Sequence, residues 1–528
     1  MGLKSVKEGG TAMTTAADTG RTSMPWWREP TKDQWMAWIA AWLGWTLDAF
    51  DFTIFLLIML PISQEFGVPL TAVTAVFAVT LWLRLLGATA AGWMADHMGR
   101  RAPLMISILW YSLCNFIAGF SPTFAFLFFF RALLGIGMGA EWPAGAALAM
   151  ESWPARSRGF MSGVLQGSWG LGFALSALCY GFLYGKPNPL EGIFPYAGPT
   201  IGWREMLWIG ILPALVCVWI RFYVKEPEVW AENKRLRAEQ NQAAVAAAGH
   251  AGGLRFSGNV LSVAGWIIAA AALFAPLFFV CQWALPYLFQ SQLNALLAAV
   301  LAGYVTIFLL PNLANMFGVG MPYAFSIFLP GLLWNTLTAC VWMSAAFCVY
   351  YSIWALFSTY LQKELSWTPQ MVATPLFWAN IVVFLGNSLW GIVADSWGRR
   401  WAIIVPSIIA IFVTPLYLWN AVPFWIIAGF ILQGVFGGSI YGQNPSYLSE
   451  RYPTEVRGAA SGFVYHQGAI FGGLIAPALT YLAVDQKMGF ALPMMYSTIG
   501  FLVLVIIAVL LGPETKGKKL TAEIEVKI

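Results

Sequence analysis

The sequence predicts an all-α membrane protein of fourteen spans, in which two related six-helix bundles are separated by two extra central helices. Three observations predict it. Of the 528 residues, 59% are hydrophobic and only 10% charged. Soluble domains carry about 25% charged residues, so this chain cannot cover itself with a polar surface. Its uncharged stretches repeatedly reach the ~20 residues that cross a bilayer as a helix, the element that satisfies its own backbone in hydrocarbon. Finally, GWMADHMGRR at 92–101 recurs as GIVADSWGRR at 391–400 and marks the two halves.

Residues 1–34 are polar with no apolar core, so they read as a tail without a cleavable signal peptide, and Met13 is an alternative start. The first bundle, 35–224, has spans near 35–62, 72–95, 102–120, 123–150, 158–184 and 203–224. The charged segment 225–257, with the run KEPEVWAENKRLRAEQNQ, reads as a linker, part helix and part flexible. Within 258–333 two further apolar stretches fall at about 259–282 and 293–311. The linker and the second GRR loop share one side of the membrane, so this insert must cross an even number of times. Segment 312–333 is uncharged but broken by Pro322, Pro330 and glycines, which leaves interfacial, re-entrant and spanning readings open. The second bundle, 334–511, has spans near 334–362, 370–394, 402–420, 422–448, 458–484 and 492–511, before a basic tail at 512–528.

The net charge of +5 is topological and is no sign of nucleic-acid binding. With these spans, Lys186, Arg204, Lys363 and Lys487 fall outside and Arg84 and Arg131 within the membrane. The other Lys and Arg gather on one side, which the positive-inside rule makes the cytoplasm. Both termini are expected there, in a multi-pass cytoplasmic (inner) membrane protein. The six cysteines, Cys114, Cys179, Cys217, Cys281, Cys340 and Cys348, lie in apolar spans without metal-ligand spacing, so free thiols are expected and no metal or cofactor is implied.

The repeat holds one offset, 299 residues, over four separate stretches. Glu151, Pro154, Arg158 and Gly159 match Glu450, Pro453, Arg457 and Gly458. Ser162 and Gly163 match Ser461 and Gly462, and Gly135 and Gly139 match Gly434 and Gly438. Paired membrane halves of this kind rock about a shared midplane site.

These motifs resemble the major facilitator superfamily. The loop GxxADxxGRR and the fourth-span run RALLGIGMGAEWP (131–143) are similar to its signatures, and PETKG (513–517) to the end of many of its porters. More narrowly, AAWLGWTLDAFDF (40–52), LWLRLLGA (81–88), GMGAEWP (137–143) and ESWP (151–154) resemble the sialate:proton symporter family. That family holds bacterial sialic acid transporters and lactate or pyruvate permeases, and its sialic acid branch has two additional central spans. The resemblance covers nearly the whole chain and implies a major facilitator fold. The His-rich signature of the fungal lactate permeases is not evident here.

Charges inside a span are costly and mark functional hypotheses. Asp48 and Asp51, at i and i+3, share one helical face. Counted at 1.5 Å per residue, Asp48 and Arg84 each lie about 18 Å deep, so a pair across the first two spans is feasible. In the functional reading an aspartate accepts the proton and Arg84 faces a substrate carboxylate, which a guanidinium grips bidentately. A low-dielectric cavity favours the neutral carboxyl and a neighbouring arginine the carboxylate, so substrate arriving at Arg84 frees the aspartate to protonate. The alternative is a static pair that orients two helices. Glu141, beside Trp142 and Pro143, is either a second protonation site or a carboxyl bonded to backbone freed by Pro143. Arg131, in a superfamily motif, holds helices together or takes part in coupling.

The 299 offset maps Asp48, Asp51, Arg84, Arg131 and Glu141 onto Phe347, Tyr350, Val383, Phe430 and Ile440. The intramembrane charges therefore belong to the first half. The second half offers neutral groups, Asn380, Asn387, Gln443, Asn444, Tyr465, His466 and Gln467, with Tyr350 and Tyr351 beside them. The expectation is a division of labour: proton and carboxylate in the first half, hydroxyl and amide recognition in the second, with Trp142 also at the substrate. For each neutral residue, helix–helix hydrogen bonding is the competing role. His466 adds an imidazole of a kind that titrates near neutral pH. Gly92, Asp96, Gly99, Arg100 and Arg101, with Asp395, Arg399 and Arg400, read as a gate. In the superfamily such a loop latches helices on the cytoplasmic side, whereas positive-inside anchoring alone explains the arginines but not the aspartate or glycines.

The first functional expectation is a proton-coupled importer of an organic-acid anion, sialic acid or a monocarboxylate, acting as a monomer in the lipid bilayer. The fifth span, GFMSGVLQGSWGLGFALSALCYG, lacks the Gly-Pro element of many drug:proton antiporters. A sugar, polyol or aromatic-acid porter and a non-transporting nutrient sensor are the competing classes. Arg84 argues against neutral sugars, and the short tails argue against a sensor. No metal cluster, nucleophile elbow or phosphate loop points to an enzyme.

Overall fold

The structure is a computed structural model and describes residues 25–98, 101–150, 153, 157–224, 330–420, 422–452 and 457–516. The expected extra spans at 259–282 and 293–311, with the linker 225–257 and segment 312–329, lie outside the described residues. So the fourteen-span count rests on sequence alone.

The first half comprises α1 (Lys32–Phe66), α2 (Leu70–Met98), α3 (Arg101–Ala118), α4 (Phe124–Met150) and α5 (Arg158–Leu183), then a broken sixth span of α6 (Trp203–Trp208) and α7 (Ala214–Tyr223). The second half comprises α8 (Pro330–Trp354), α9 (Phe357–Lys363), α10 (Pro369–Trp397), α11 (Trp401–Leu418), α12 (Pro423–Phe436), α13 (Asn444–Arg451), α14 (Arg457–Thr480) and α15 (Ala491–Leu511). Among the described residues, ten helical stretches are long and apolar enough to cross a membrane.

Sequence chemistry accounts for the ends and breaks. Thr31 caps α1 reciprocally with Gln34, and Gly67 ends it at φ +61°, a left-handed conformation that glycine adopts without cost. The sixth span breaks where Pro213, lacking an N–H, precedes Ala214. Between α12 and α13 the chain passes through Gly437, Gly438 and a 3-10 turn, Ser439–Gln443, with Pro445 opening α13. The single span expected at 422–448 is thus discontinuous, because two glycines weaken the helix and the proline cannot continue its bonding.

The internal repeat is physical. A Cβ on Gly135 would strike the Thr80 carbonyl oxygen, and one on Gly434 the carbonyl oxygen of Ala379, the residue 299 positions on from Thr80. Gly139 packs on the backbone of Arg84; its repeat partner Gly438 packs on Val383, the partner of Arg84. Glycine at these points lets the fourth span of each half touch the second. Gly139→Ala is therefore expected to destabilise the purified protein by about 1–3 kcal/mol through overpacking. Gly500, with nothing within 4 Å of an added Cβ, serves as the control. Thermal unfolding in detergent checks this, and equal midpoints for Gly139→Ala and Gly500→Ala refute it.

The halves meet along α5 against α10 and α2 against α14. Gly163, Gly167 and Gly170 ride on the backbone of Asn387, Phe384 and Asn380. Trp82 Nε1 donates to the Ile470 carbonyl at 3.0 Å, and Ser358 Oγ to that of Leu56 at 2.8 Å. A cavity remains between these contacts.

Candidate functional site

Arg84 and Asp48 form a buried ion pair, Nη2 to Oδ1 at 3.2 Å, with the two residues 3% and 0% exposed. Gly139 admits the α2 backbone at Arg84, and the same Nη2 lies 3.0 Å from Met138 Sδ. The guanidinium is held over Phe52 (4.6 Å to the ring centroid) and Trp169 (5.4 Å), a cation–π arrangement. Asp48 Oδ2 and Arg84 Nε have no hydrogen-bond partner. The pair is therefore incompletely satisfied, as suits a group that exchanges partners better than one that only fixes helices.

Arg84 lines a cavity between the halves. The second half contributes Phe347, Tyr350, Tyr351, Asn387, Tyr441, Tyr465 and His466, and α5 contributes Gln166 and Trp169. Trp169 Nε1 donates to Tyr350 Oη at 3.0 Å, and Gln166 Nε2 lies 3.5 Å from Tyr465 Oη. Asn387 Oδ1, Tyr441 Oη and both His466 nitrogens are buried without hydrogen-bond partners. A site with one cation, a few free polar atoms and aromatic walls can hold a small anion by its charged end.

A second, smaller cavity abuts the first at Gln166 and is lined by Glu141 and Trp142. Neither Glu141 oxygen has a hydrogen-bond partner, and Gly44 leaves room for the carboxyl, since a Cβ there would lie 2.5 Å from Glu141 Oε1. A carboxyl bonded to backbone freed by Pro143 is not the arrangement observed. Trp142 donates to Gln166 Oε1 at 3.3 Å and stacks on Tyr465 at 4.2 Å, closing the halves together.

Asp51 and Arg131 sit apart from the cavity lining. Arg131 Nη1 donates to Asn115 Oδ1 at 3.0 Å, and its guanidinium lies 4.3 Å from the Phe55 centroid. Asn115 and Asp51 converge on Gly210, where a Cβ would lie 2.7 Å from Asp51 Oδ1. Arg131 Nε and Nη2 are buried without hydrogen-bond partners.

The neutral residues divide. Asn387, Tyr350, Tyr351, Tyr465 and His466 line the cavity with Arg84, and Trp142 touches it through Tyr465. Asn380, Gln443, Asn444 and Gln467 do not line it. Asn380 donates to the Leu376 carbonyl one turn back. Gln467 bonds Ser344 and the Cys340 carbonyl and so ties α14 to α8. Sequence reasoning missed Gln166, Trp169 and Tyr441. The repeat carried a signal for two of them: Gln166 aligns with Tyr465, which it meets, and Tyr441 aligns with Trp142.

At the end of the bundle bearing the C-terminal tip of α15, Arg399 bonds Asp395 at 2.5 Å and grips both oxygens of Glu450 at 2.9 and 3.1 Å. Glu514 of PETKG accepts from the backbone N–H groups of Arg399 and Arg400, and Gly398 makes room at φ +105°. Arg400 Nη2 donates to the Leu510 carbonyl, and Thr515 Oγ1 to Glu450. Burial lowers the Arg399 pKa, but its bonds to Glu450 and Asp395 outweigh that and raise it above the usual arginine range. Burial likewise raises Glu514, yet the backbone donors of Arg400, Arg399, Lys516 and Thr515 hold it below the usual carboxylate range. The loop, α13 and the tail are thus knitted into one charged latch within the second half. In the first half, Gly92 and Asp96 lie on α2 and Arg101 opens α3, while Gly99 and Arg100 lie outside the described residues.

The family model described as the Major Facilitator Superfamily matches residues 41–341 and 339–527. The chain is 25% identical to the "Probable 4-methylmuconolactone transporter" of Cupriavidus pinatubonensis, covering 93% of each. It is 24% identical to the "Sialic acid transporter NanX" of Escherichia coli, covering 93% of this chain and 97% of that one. Against the "Cis,cis-muconate transport protein" of Acinetobacter baylyi it is 24% identical over 86% of this chain and 89% of the relative. In fold it is similar to the xylose transporter XylE from E. coli in a partially occluded inward open conformation, with a TM-score of 0.59, 16% identity, and coverage of 93% and 100%.

Proposed function

The chain belongs to the Major Facilitator Superfamily, and from that premise we propose that it is a proton-coupled symporter importing an organic-acid anion by alternating access. The observation that carries this reading is the Asp48–Arg84 pair, buried at the wall of a cavity between the halves. The transporters it resembles over most of their length are named for sialic acid, a muconate and a muconolactone.

The coupling follows from charge neutrality. Empty, the site holds Asp48 as carboxylate against Arg84, with no net charge. With a substrate carboxylate on Arg84 and a proton on Asp48, it is neutral again. Substrate alone leaves one excess negative charge and a proton alone one excess positive charge, each costing several kcal/mol in a low-dielectric interior. Only the empty and doubly loaded states are therefore cheap to enclose while the halves rock, and that links proton to anion. The cavity-lining neutral residues of the second half hold the remainder of the substrate. Glu141, across Gln166 from the cavity, serves as a second protonation site, while Asp51 and Arg131 support coupling from beside it. The Asp395–Arg399–Glu450 latch sets the gate on the cytoplasmic side, where both termini lie in an inner-membrane monomer.

A sugar or polyol porter is the competing reading, and a neutral sugar gives Arg84 nothing to bind. The test is uptake into proteoliposomes with an imposed pH gradient, using labelled sialic acid, lactate, pyruvate and xylose. An acid is expected to accumulate only when the outside is acidic and xylose not at all. Uptake indifferent to the gradient removes proton coupling, and xylose uptake without acid uptake removes the acid reading.

A further inference from the structure

Resting on the organic-acid reading above, we propose that this site selects a planar, conjugated or aromatic monocarboxylate and rejects polyhydroxylated sugar acids. The walls are the reason. Trp169, Phe347, Tyr350, Tyr351 and Tyr465 present rings to the cavity. These rings are braced: Phe347 stacks on Tyr351 with centroids 5.8 Å apart, and Tyr350 stacks on Trp354 at 4.7 Å with planes 2° apart. Ring-lined walls that cannot fold away favour a flat π-system, which gains offset or edge contacts on several faces.

The polar groups of the wall stand among ring faces. Gln166 and the Tyr350 hydroxyl are engaged with protein partners. Tyr351, Asn387, Tyr441 and His466 are the second-half lining residues that keep polar atoms without a partner, beside Arg84 Nε. After the carboxylate takes the guanidinium, these four side chains remain for substituents such as a hydroxyl, a carbonyl or a ring nitrogen. A polyhydroxylated chain would strip water from many hydroxyls against ring faces that cannot replace those bonds, and each unmet group costs about 1–3 kcal/mol. His466 gives the second-half wall both donor and acceptor capacity in its neutral form.

The experiment uses the full chain in proteoliposomes under an inward proton gradient. Competitors are benzoate, 4-hydroxybenzoate, cyclohexanecarboxylate and N-acetylneuraminate, each also supplied labelled. Benzoate or its hydroxy derivative is expected to be taken up at least 10-fold better, in half-saturating concentration, than cyclohexanecarboxylate, which keeps the carboxylate and ring size but not the flat π-face. N-acetylneuraminate is expected to compete more weakly still. Phe347→Leu, which takes one ring out of the wall, should shrink the preference for benzoate over cyclohexanecarboxylate. Equal handling of the flat and saturated rings, or preference for N-acetylneuraminate, overturns this inference and leaves acid symport standing. If none of the acids moves, both fall together.

Discussion

Arg84→Gln is expected to reduce uptake of every carboxylate by about 30-fold or more while the protein remains folded. Arg84 is the cation lining the cavity, held by rings on two sides and bonded to Asp48. Removing one partner of a buried, hydrogen-bonded charge pair costs about 2–5 kcal/mol in binding, and each 1.4 kcal/mol is tenfold. Glutamine is polar but shorter, and it supplies neither the charge nor the fork. Arg84→Lys should recover only part of the loss, because an ammonium is a point charge without bidentate geometry. Folding survives because Asp48, once unpaired, can take a proton, and because buried ion pairs contribute little net stability compared with packing. Initial uptake rates, with thermal unfolding of the same preparations, check both halves of the expectation. Full transport of any carboxylate by Arg84→Gln would take this residue out of the substrate site.

The parts of the molecule legible in the sequence are those whose physics penalises error. A charge in hydrocarbon must have a reason, so Asp48 and Arg84 stood out, and counting depth along two helices was enough to set them side by side. Glycine at a helix contact is equally unforgiving, and the repeat partners Gly135 and Gly434 perform the same packing in both halves. Aromatic residues carry no such penalty. With 28 Trp, 38 Phe and 18 Tyr in the chain, composition singles out no ring as a cavity wall: Tyr350, Tyr351 and Tyr465 were reached through the repeat and their polar neighbours, and Trp169 and Tyr441 passed unnoticed. Neutral amides were ambiguous for a related reason: a buried Asn satisfied by its own helix, like Asn380 on Leu376, reads the same as one facing a ligand. The break before α13 was written as Gly437, Gly438 and Pro445, yet an apolar run conceals a short unwound turn within an otherwise good span.

Asp48→Asn should abolish accumulation driven by a pH gradient while leaving exchange of external for internal substrate largely intact. Asparagine imitates the protonated carboxyl in shape and charge, so the substrate-loaded site stays neutral: the anion balances Arg84 and nothing else is ionised. The loaded carrier can then rock in both directions, and counterflow continues. The empty carrier is different. Without a carboxylate at position 48, Arg84 is left as an uncompensated cation, 3% exposed, in a cavity walled by rings. Enclosing it costs several kcal/mol, so the return step slows and net uptake fails even though binding persists. A residue that only braced α1 against α2 would not produce this split; its loss would depress exchange and net uptake together. Measuring labelled-substrate counterflow beside pH-driven uptake on one preparation separates the two roles. Gradient-driven accumulation surviving in Asp48→Asn would move the coupling proton elsewhere, to Asp51 or to Glu141 across Gln166. The same two-assay comparison on Asp51→Asn and Glu141→Gln would then locate it.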